Sequence, residues 1–512
     1  MRCRRPIVVI VLAVAALAAR LDAQPRGGRG GGAATPAQDP LRFQMMGPAS
    51  GGRISAVSGV PGDPRIWYLG AASGGVWKSS DSGSTFVPIF DREPVQAIGA
   101  LAVAPSSPNM VWVGTGEAWA IRDADVMGDG VYLSTDSGAT WSNVGLRETG
   151  RIGRIIPHPT DPRTVYVCAL GRATGPQAER GVYRTRDAGK TWERVLYVDP
   201  NTGCSGLTID RQHPNVLFAG MWQVEMHTYA MYSGGPSSAI YKSTDGGTTW
   251  QKVEHPGLPN APVGKIDVAV APSDSRRVYA LIQTANQGSM WRSDDGGGTW
   301  RVVNWTRALI GRAGYYIRLE VSPADANEIL VANSSFFRSA DGGTTFVEVP
   351  WGGDNHDIWW DPTNAARFGL TNDAGARLTA DHGRSWLAVG LPIAQMYHVA
   401  IDRQVPYWVY GNRQDNGTMR GPSTTPEATI ATRGIAAPQR SGLGTRDSGV
   451  GISRQPSPVS RPPMGGDTAI APARAIGGAG VAPNDTAAAR RMGVRSSTDS
   501  AGRDTTGALG GG

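Results

Sequence analysis

The chain has 512 residues, with 50 lysines and arginines against 43 aspartates and glutamates and a formal net charge of +7. The excess lies in the ends: residues 41–420 hold 34 basic and 35 acidic side chains, so the body is close to neutral and no nucleic-acid partner is expected. Three cysteines without Cys-x-x-Cys spacing exclude a zinc ribbon and a cysteine-stapled mini-domain.

Residues 1–23 read as a secretory signal peptide. Arg2, Arg4 and Arg5 form a basic start, 6–19 is an apolar core, and Leu21-Asp22-Ala23 is a cleavage site, with Ala16-Leu17-Ala18 as the alternative. The core is short for a membrane span and no second apolar run follows. A secreted or periplasmic product with no membrane span after signal cleavage is therefore expected. Such a product keeps Cys168 and Cys204, which can form a disulfide or stay two small buried apolar groups. Residues 24–40 are rich in Gly, Arg, Pro and Ala and read as a flexible linker.

From 41 to 420 one motif organises the chain: Ser/Thr-x-Asp-x-Gly-x-Thr/Ser-Trp/Phe, present seven times. Its aspartates are Asp81, Asp136, Asp187, Asp245, Asp295, Asp341 and Asp381, separated by 55, 51, 58, 50, 46 and 40 residues. That period, with strand-like flanks, predicts a β-propeller with one four-stranded blade per repeat. Gly supplies the positive φ of a tight hairpin, Asp and Ser/Thr bond the turn's own backbone, and the aromatic residue starts the next strand. The aspartates are thus read as structural. Blade one is expected at 53–57, 66–69, 75–78 and 85–88, and blade seven at 357–360, 367–370, 376–379 and 385–389. Two more strands, 396–401 and 407–410, then begin an eighth blade. The expected class is all-β: a seven-bladed propeller of four-stranded blades, or the opening part of a larger or second propeller. All 38 aromatic residues lie between Phe43 and Tyr410. Residues 421–512, lacking any, read as a disordered tail or the product of a shifted reading frame.

Strand direction sorts the loops. First-to-second and third-to-fourth turns share one face with the motif, and the long loops and the links between blades share the other. Those long loops carry Glu117, Trp119 and Arg122, then Trp222, then His356 and Asp373, and finally Gln414 and Asp415. They are the candidate ligand-binding residues, because propeller ligands gather over the central channel on one face. Asp354, His356, Asp357, Asn372 and Asp373 could instead hold a metal, with Ca²⁺ favoured by the oxygen donors; Asp and Asn capping turns is the alternative, and no cofactor is otherwise called for.

The repeat is similar to the Asp-box, or BNR repeat, of sialidases, sortilin-type receptors and xyloglucan-cleaving glycoside hydrolases. The order of features resembles exported bacterial BNR proteins with a sortilin N-terminal-type propeller, on the stretches 114–117, 169–171, 179–183, 219–222, 354–357, 397–400 and 414–417. In xyloglucan-cleaving enzymes a catalytic Asp lies in Thr-Asp-Ile-Gly-Gly-Ala-Tyr. The matching stretch here is Ala71-Ala72-Ser73-Gly74-Gly75-Val76-Trp77, so Ala72 stands where that carboxylate would be. The sialidase arginine signature is also missing. The resemblance therefore implies a binding propeller for a peptide, a glycan or another exported protein, with a glycoside hydrolase that has lost its carboxylates as the alternative.

Overall fold

The computed structural model describes residues 52–118, 126–315, 317–350, 353–393, 396–413 and 418–423. Among them there is no α-helix, only strands and two short 3₁₀ turns, Arg147–Thr149 and Arg307–Ile310. The signal and linker expectations fall outside the described residues, as does the tail beyond Ser423; Gly421 and Pro422, which the tail reading included, belong instead to the paired strand Thr418–Pro422. Among the described residues no helix is long and apolar enough to cross a membrane.

Seven antiparallel sheets follow one another along the chain, each with four strands in sequence order. Blade one is Ile54–Val60, Asp63–Ala71, Val76–Ser79 and Val87–Pro88. The first strands of the other six are Ile98–Val103, Ile152–Pro157, Thr202–Ile209, Ile266–Val270, Arg318–Val321 and Asn355–Trp360. These innermost strands are buried along nearly their whole length, because both faces pack on neighbouring blades while one edge lines the channel. Blade four carries an extra strand, Ala230–Ser233, paired with its long second strand Leu217–His227.

Each Asp-box is wired alike. The first Ser or Thr donates to the Asp, as Ser79 Oγ does to Asp81 Oδ1 at 2.8 Å, and accepts the Gly N–H, as from Gly83 at 2.9 Å. The other Asp oxygen accepts the hydroxyl of the seventh residue, Thr85 Oγ1 to Asp81 Oδ2 at 2.6 Å. The same bonds recur at Asp136, Asp187, Asp245, Asp295, Asp341 and Asp381. In four boxes, the Thr or Ser hydroxyl first and the backbone N–H second hold the carboxyl of Asp81, Asp136, Asp187 and Asp381 down to about 2.

The boxes also join blades. The residue just before the motif reaches the next blade's box: Lys78 Nζ donates to Ser137 O at 2.9 Å, Lys242 Nζ to Gly296 O at 2.7 Å, and Arg292 Nη1 to Gly342 O at 3.2 Å. Blade seven meets blade one in the same way with apolar groups. Leu378 lies against Gly83, Trp359 packs edge-on against Trp67 at 5.3 Å, and Asp357 Oδ2 accepts the Val57 N–H at 3.1 Å. Cys168 and Cys204 are bonded in a disulfide across the seam of blades three and four, with Cα atoms 5.0 Å apart.

After blade seven comes a sheet of three strands, Met396–Ile401, Trp408–Arg413 and Thr418–Pro422, one more strand than the sequence suggested. Its Val399 and Ile401 are each 66% exposed, in contrast to the enclosed first strands of the seven blades.

Candidate functional site

The channel between the first strands has two ends, and charged residues stand at both. At the end away from the Asp-boxes, Arg53 opens blade one. Its Nη1 donates to Glu117 Oε1 of blade two at 2.9 Å and its Nε to Asp373 Oδ1 of blade seven at 2.8 Å. His356 lies beside them, with Nδ1 2.6 Å from Ile54 O and Nε2 3.0 Å from Asp373 Oδ1. The Tyr315 ring covers Arg53 at 5.4 Å. Burial pushes the Asp373 carboxyl up, but His356 and Arg53 outweigh it and hold the group down to about 2. Arg53, Glu117 and His356 are all buried.

A roof lies over this end. The hairpin of Leu217–His227 and Ala230–Ser233 reaches the link before blade six, where Met231 packs on Gly314. Beneath it Trp222 is enclosed by Leu170, Ala173, Val224 and Met226. Its Nε1 donates to Ser233 Oγ at 3.1 Å, and Lys265 Nζ lies 5.3 Å from the ring centre. Burial first, and Arg318 second, pull Lys265 down to about 7.

At the Asp-box end the channel widens into a cavity of about 150 Å³. Its walls come from the first strands of all seven blades and its rim from their first-to-second turns. Four charged side chains line it: Arg154, Arg211, Glu320 and Asp357. Arg154 bridges the two carboxylates, Nη2 to Glu320 Oε1 at 2.8 Å and Nη1 to Asp357 Oδ1 at 3.3 Å. Arg318 Nε lies 3.5 Å from the same Asp357 oxygen. Burial pushes the Glu320 carboxyl up, opposed by Arg154. Trp359 and a circle of prolines supply the apolar surface.

Several sequence expectations need correction against this geometry. Trp222 is wholly buried and offers no face to a ligand. Glu117, His356 and Asp373 come together as an interlocked group under cover rather than as open contacts. Trp119, Arg122, Gln414 and Asp415 lie outside the described residues. Three of the five suggested metal ligands turn away from the His356–Asp373 pair. Asp354 pairs with Arg312 at 2.8 Å, Asp357 turns into the channel, and Asn372 Oδ1 caps its own turn by accepting the Ala374 N–H. Among the described residues there is no group of three His, Cys, Asp or Glu side chains placed to hold a metal. The expectation also missed the exposed aromatics of the roof, Tyr229 and Tyr232, with His227 stacked on Tyr229 at 5.2 Å. It missed the cavity too, although Arg211 carries a signal in the repeat itself, standing where the first-to-second turns of the other six blades have proline.

Comparison with known proteins agrees with this architecture. A family model for sortilin-Vps10 (sortilin, neurotensin receptor 3) matches residues 129–236. A xyloglucanase of Hypocrea jecorina is 30% identical over 237 residues, 41% of this chain and 26% of its own length. A xyloglucanase of Paenibacillus sp. is 26% identical over 226 residues, 39% of this chain and 20% of its own. The chain thus spans about a quarter of the length of the curated relatives it matches. The crystal structure of an ancestral GH74 enzyme superposes with a TM-score of 0.51 at 16% identity, covering 74% of this chain and 54% of that one. What these matches and the fold share is a sortilin-like β-propeller.

Proposed function

We propose that this protein is an exported, non-catalytic propeller that binds a peptide or a glycan. The observation that supports this most is the pairing of carboxylates at both ends of the channel. Cleavage of a glycosidic bond needs two carboxyl groups with the bond between them, one of which has a proton to give. Here Arg53 fills the space between Glu117 and Asp373, and Arg154 that between Glu320 and Asp357. Asp373, held near 2, has no proton to donate at neutral pH. Ala72, in the place that the resemblance assigns to a catalytic Asp, is buried and has no titratable group.

The cavity at the Asp-box end is the favoured place for the ligand, since it is concave, partly apolar and lined by convergent polar groups. The long-loop face expected from the sequence is a second reading, favoured by the exposed Tyr229 and Tyr232. Export is supported by the Cys168–Cys204 disulfide, which suits an oxidising compartment. The test is to screen the full chain on glycan and peptide arrays and to incubate it with xyloglucan oligosaccharides. Binding without turnover is the expected result. Turnover that disappears in Glu320→Gln would overturn the non-catalytic reading.

A further inference from the structure

Under the roof the channel holds a second, smaller chamber of about 10 Å³, room for one water molecule or one monatomic ion. Blades four, five, six and seven bring Ser205, Lys265, Arg318 and His356 to its wall, and among the described residues no carboxylate joins them. Lys265 is 6% exposed and Arg318 9%, so both cations lie inside the protein. Ser205 Oγ is committed to Ile266 O at 2.7 Å, and His356 to Ile54 O and Asp373. Lys265 is the least satisfied of the four. Its Nζ has one acceptor, Tyr315 O, at 3.4 Å, and its other neighbour is the Trp222 ring. An ammonium group has three N–H bonds to place, so two of them find no acceptor among the described residues. Arg318 donates from Nη2 to Gly153 O and has only a share of Asp357 Oδ1, at 3.5 Å, where Arg154 is closer at 3.3 Å. The carboxylate that acts on Lys265, Asp267, does not line the chamber, and its Oδ2 accepts the Leu319 N–H at 2.9 Å.

Two like charges facing one small enclosed space set the chemistry of what fits there. A water molecule would accept a hydrogen bond but leave the two charges opposed. An anion accepts from the ammonium and the guanidinium and offsets both, in surroundings where such contacts are strong. Burying cations beside a counter-ion also costs less than burying them alone. Size then selects among anions. Carboxylate, phosphate and sulfate groups are several atoms across, and about 10 Å³ does not hold them. Nor can a longer molecule reach in with one charged end, because the buried Leu170, Tyr315 and Ile317 close the wall around the two cations.

We infer that the roofed end of the channel is a binding site for a single halide ion of chloride's size, held between Lys265 Nζ and the Arg318 guanidinium. The ion ties blade five to blade six from inside the channel, beneath the point where Met231 of the roof packs on Gly314. The inference does not rest on the binding reading above, since the chamber is too small for a peptide or a glycan.

The test uses the full chain, dialysed free of halide into sodium gluconate, with sodium chloride and sodium bromide as probes. Chloride affinity is read from chlorine NMR line broadening, and from the rise in melting temperature when chloride replaces gluconate at constant ionic strength. Crystals soaked in bromide locate the ion by its anomalous scattering. Lys265→Met removes the charge and keeps the stem, and Lys265→Gln covers the case in which Met does not fold. Chloride should bind the wild type at one site, bromide should appear within hydrogen-bond reach of Lys265 Nζ and Arg318, and each folded variant should bind chloride about tenfold or more weakly. Chloride affinity that ignores both variants would overturn the inference. So would bromide-soaked crystals that show only water in the chamber, a result that needs no variant to fold. Bromide in the chamber without any chloride effect in solution would mark an adventitious ion only, and would overturn it as well.

Discussion

The two ends of the channel are built on opposite plans. At the Asp-box end every blade repeats the same hairpin, each held by bonds within eight residues of sequence and exposed to solvent. At the far end no two blades contribute the same group: Arg53, Glu117, Asp373 and His356 come from blades one, two and seven and interlock, all buried but the partly exposed Asp373. The first plan is local and redundant, so each unit carries little of the whole. The second is long-range and unique, so its members depend on one another. The comparison teaches that repetition marks what holds the fold, while departure from repetition, at Arg53 or at Arg211, marks what needs its own explanation.

Acid acts on both ends at once and should have the largest effect. Asp81, Asp136, Asp187 and Asp381 and the half-buried Asp373 all have carboxyls near 2 in the folded chain, against an ordinary value of about 4. A carboxyl depressed by folding contributes stability that is present above the unfolded value and is lost as pH falls through the folded one. Thermal melting followed from pH 5 downward should therefore show a steep loss between about pH 4 and about pH 2. A melting temperature flat across that window would contradict the wiring of the boxes.

Arg53→Ala comes next. It leaves Glu117 and Asp373 without their shared cation in a buried place, and should cost about 3–5 kcal/mol in denaturant unfolding. A loss below 1 kcal/mol would mean that the far end is wetter and less interdependent than described. Gly83→Ala probes the repeated end at the meeting of blades seven and one. Gly83 has φ +91°, and a Cβ there would come within 2.6 Å of Leu378 Cδ1. The expected cost is about 1–3 kcal/mol. The smallest effect should be that of Gly175→Ala in the long loop of blade three, where an added Cβ meets nothing within 4 Å. A change within about 0.5 kcal/mol is expected, and a larger one would show that this loop is held by contacts beyond those described.

Much of the fold was legible because its signals are local. The Asp-box needs only Ser79, Asp81, Gly83 and Thr85 to close its hairpin, and those residues recur in order. The strand positions followed to within a few residues, as at Ile98–Val103. The third strand of the last sheet, Thr418–Pro422, was missed because its Thr-Met-Arg-Gly-Pro sequence has little strand propensity, and pairing with Trp408–Arg413 overrides that. The site was less legible. Trp222 looked like a stacking platform because it follows a strand in a long loop. The pairing of Leu217–His227 with Ala230–Ser233 folds that loop back and encloses the ring.

By itself, then, the sequence determined the repeating unit, the number of its copies and the faces on which turns and long loops lie. Those follow from hydrogen bonds and alternation inside some fifty residues, which the chain states again with each copy. Only the tertiary structure decided that Cys168 and Cys204 are bonded, that Asp357 points down the channel while Asp354 does not, and that the far end is roofed while the Asp-box end opens into a cavity. Those outcomes depend on side chains far apart in sequence meeting across the channel, as Arg53 meets Asp373 over 320 residues. Such a meeting is set by blade geometry and by the cost of burying an unpaired charge.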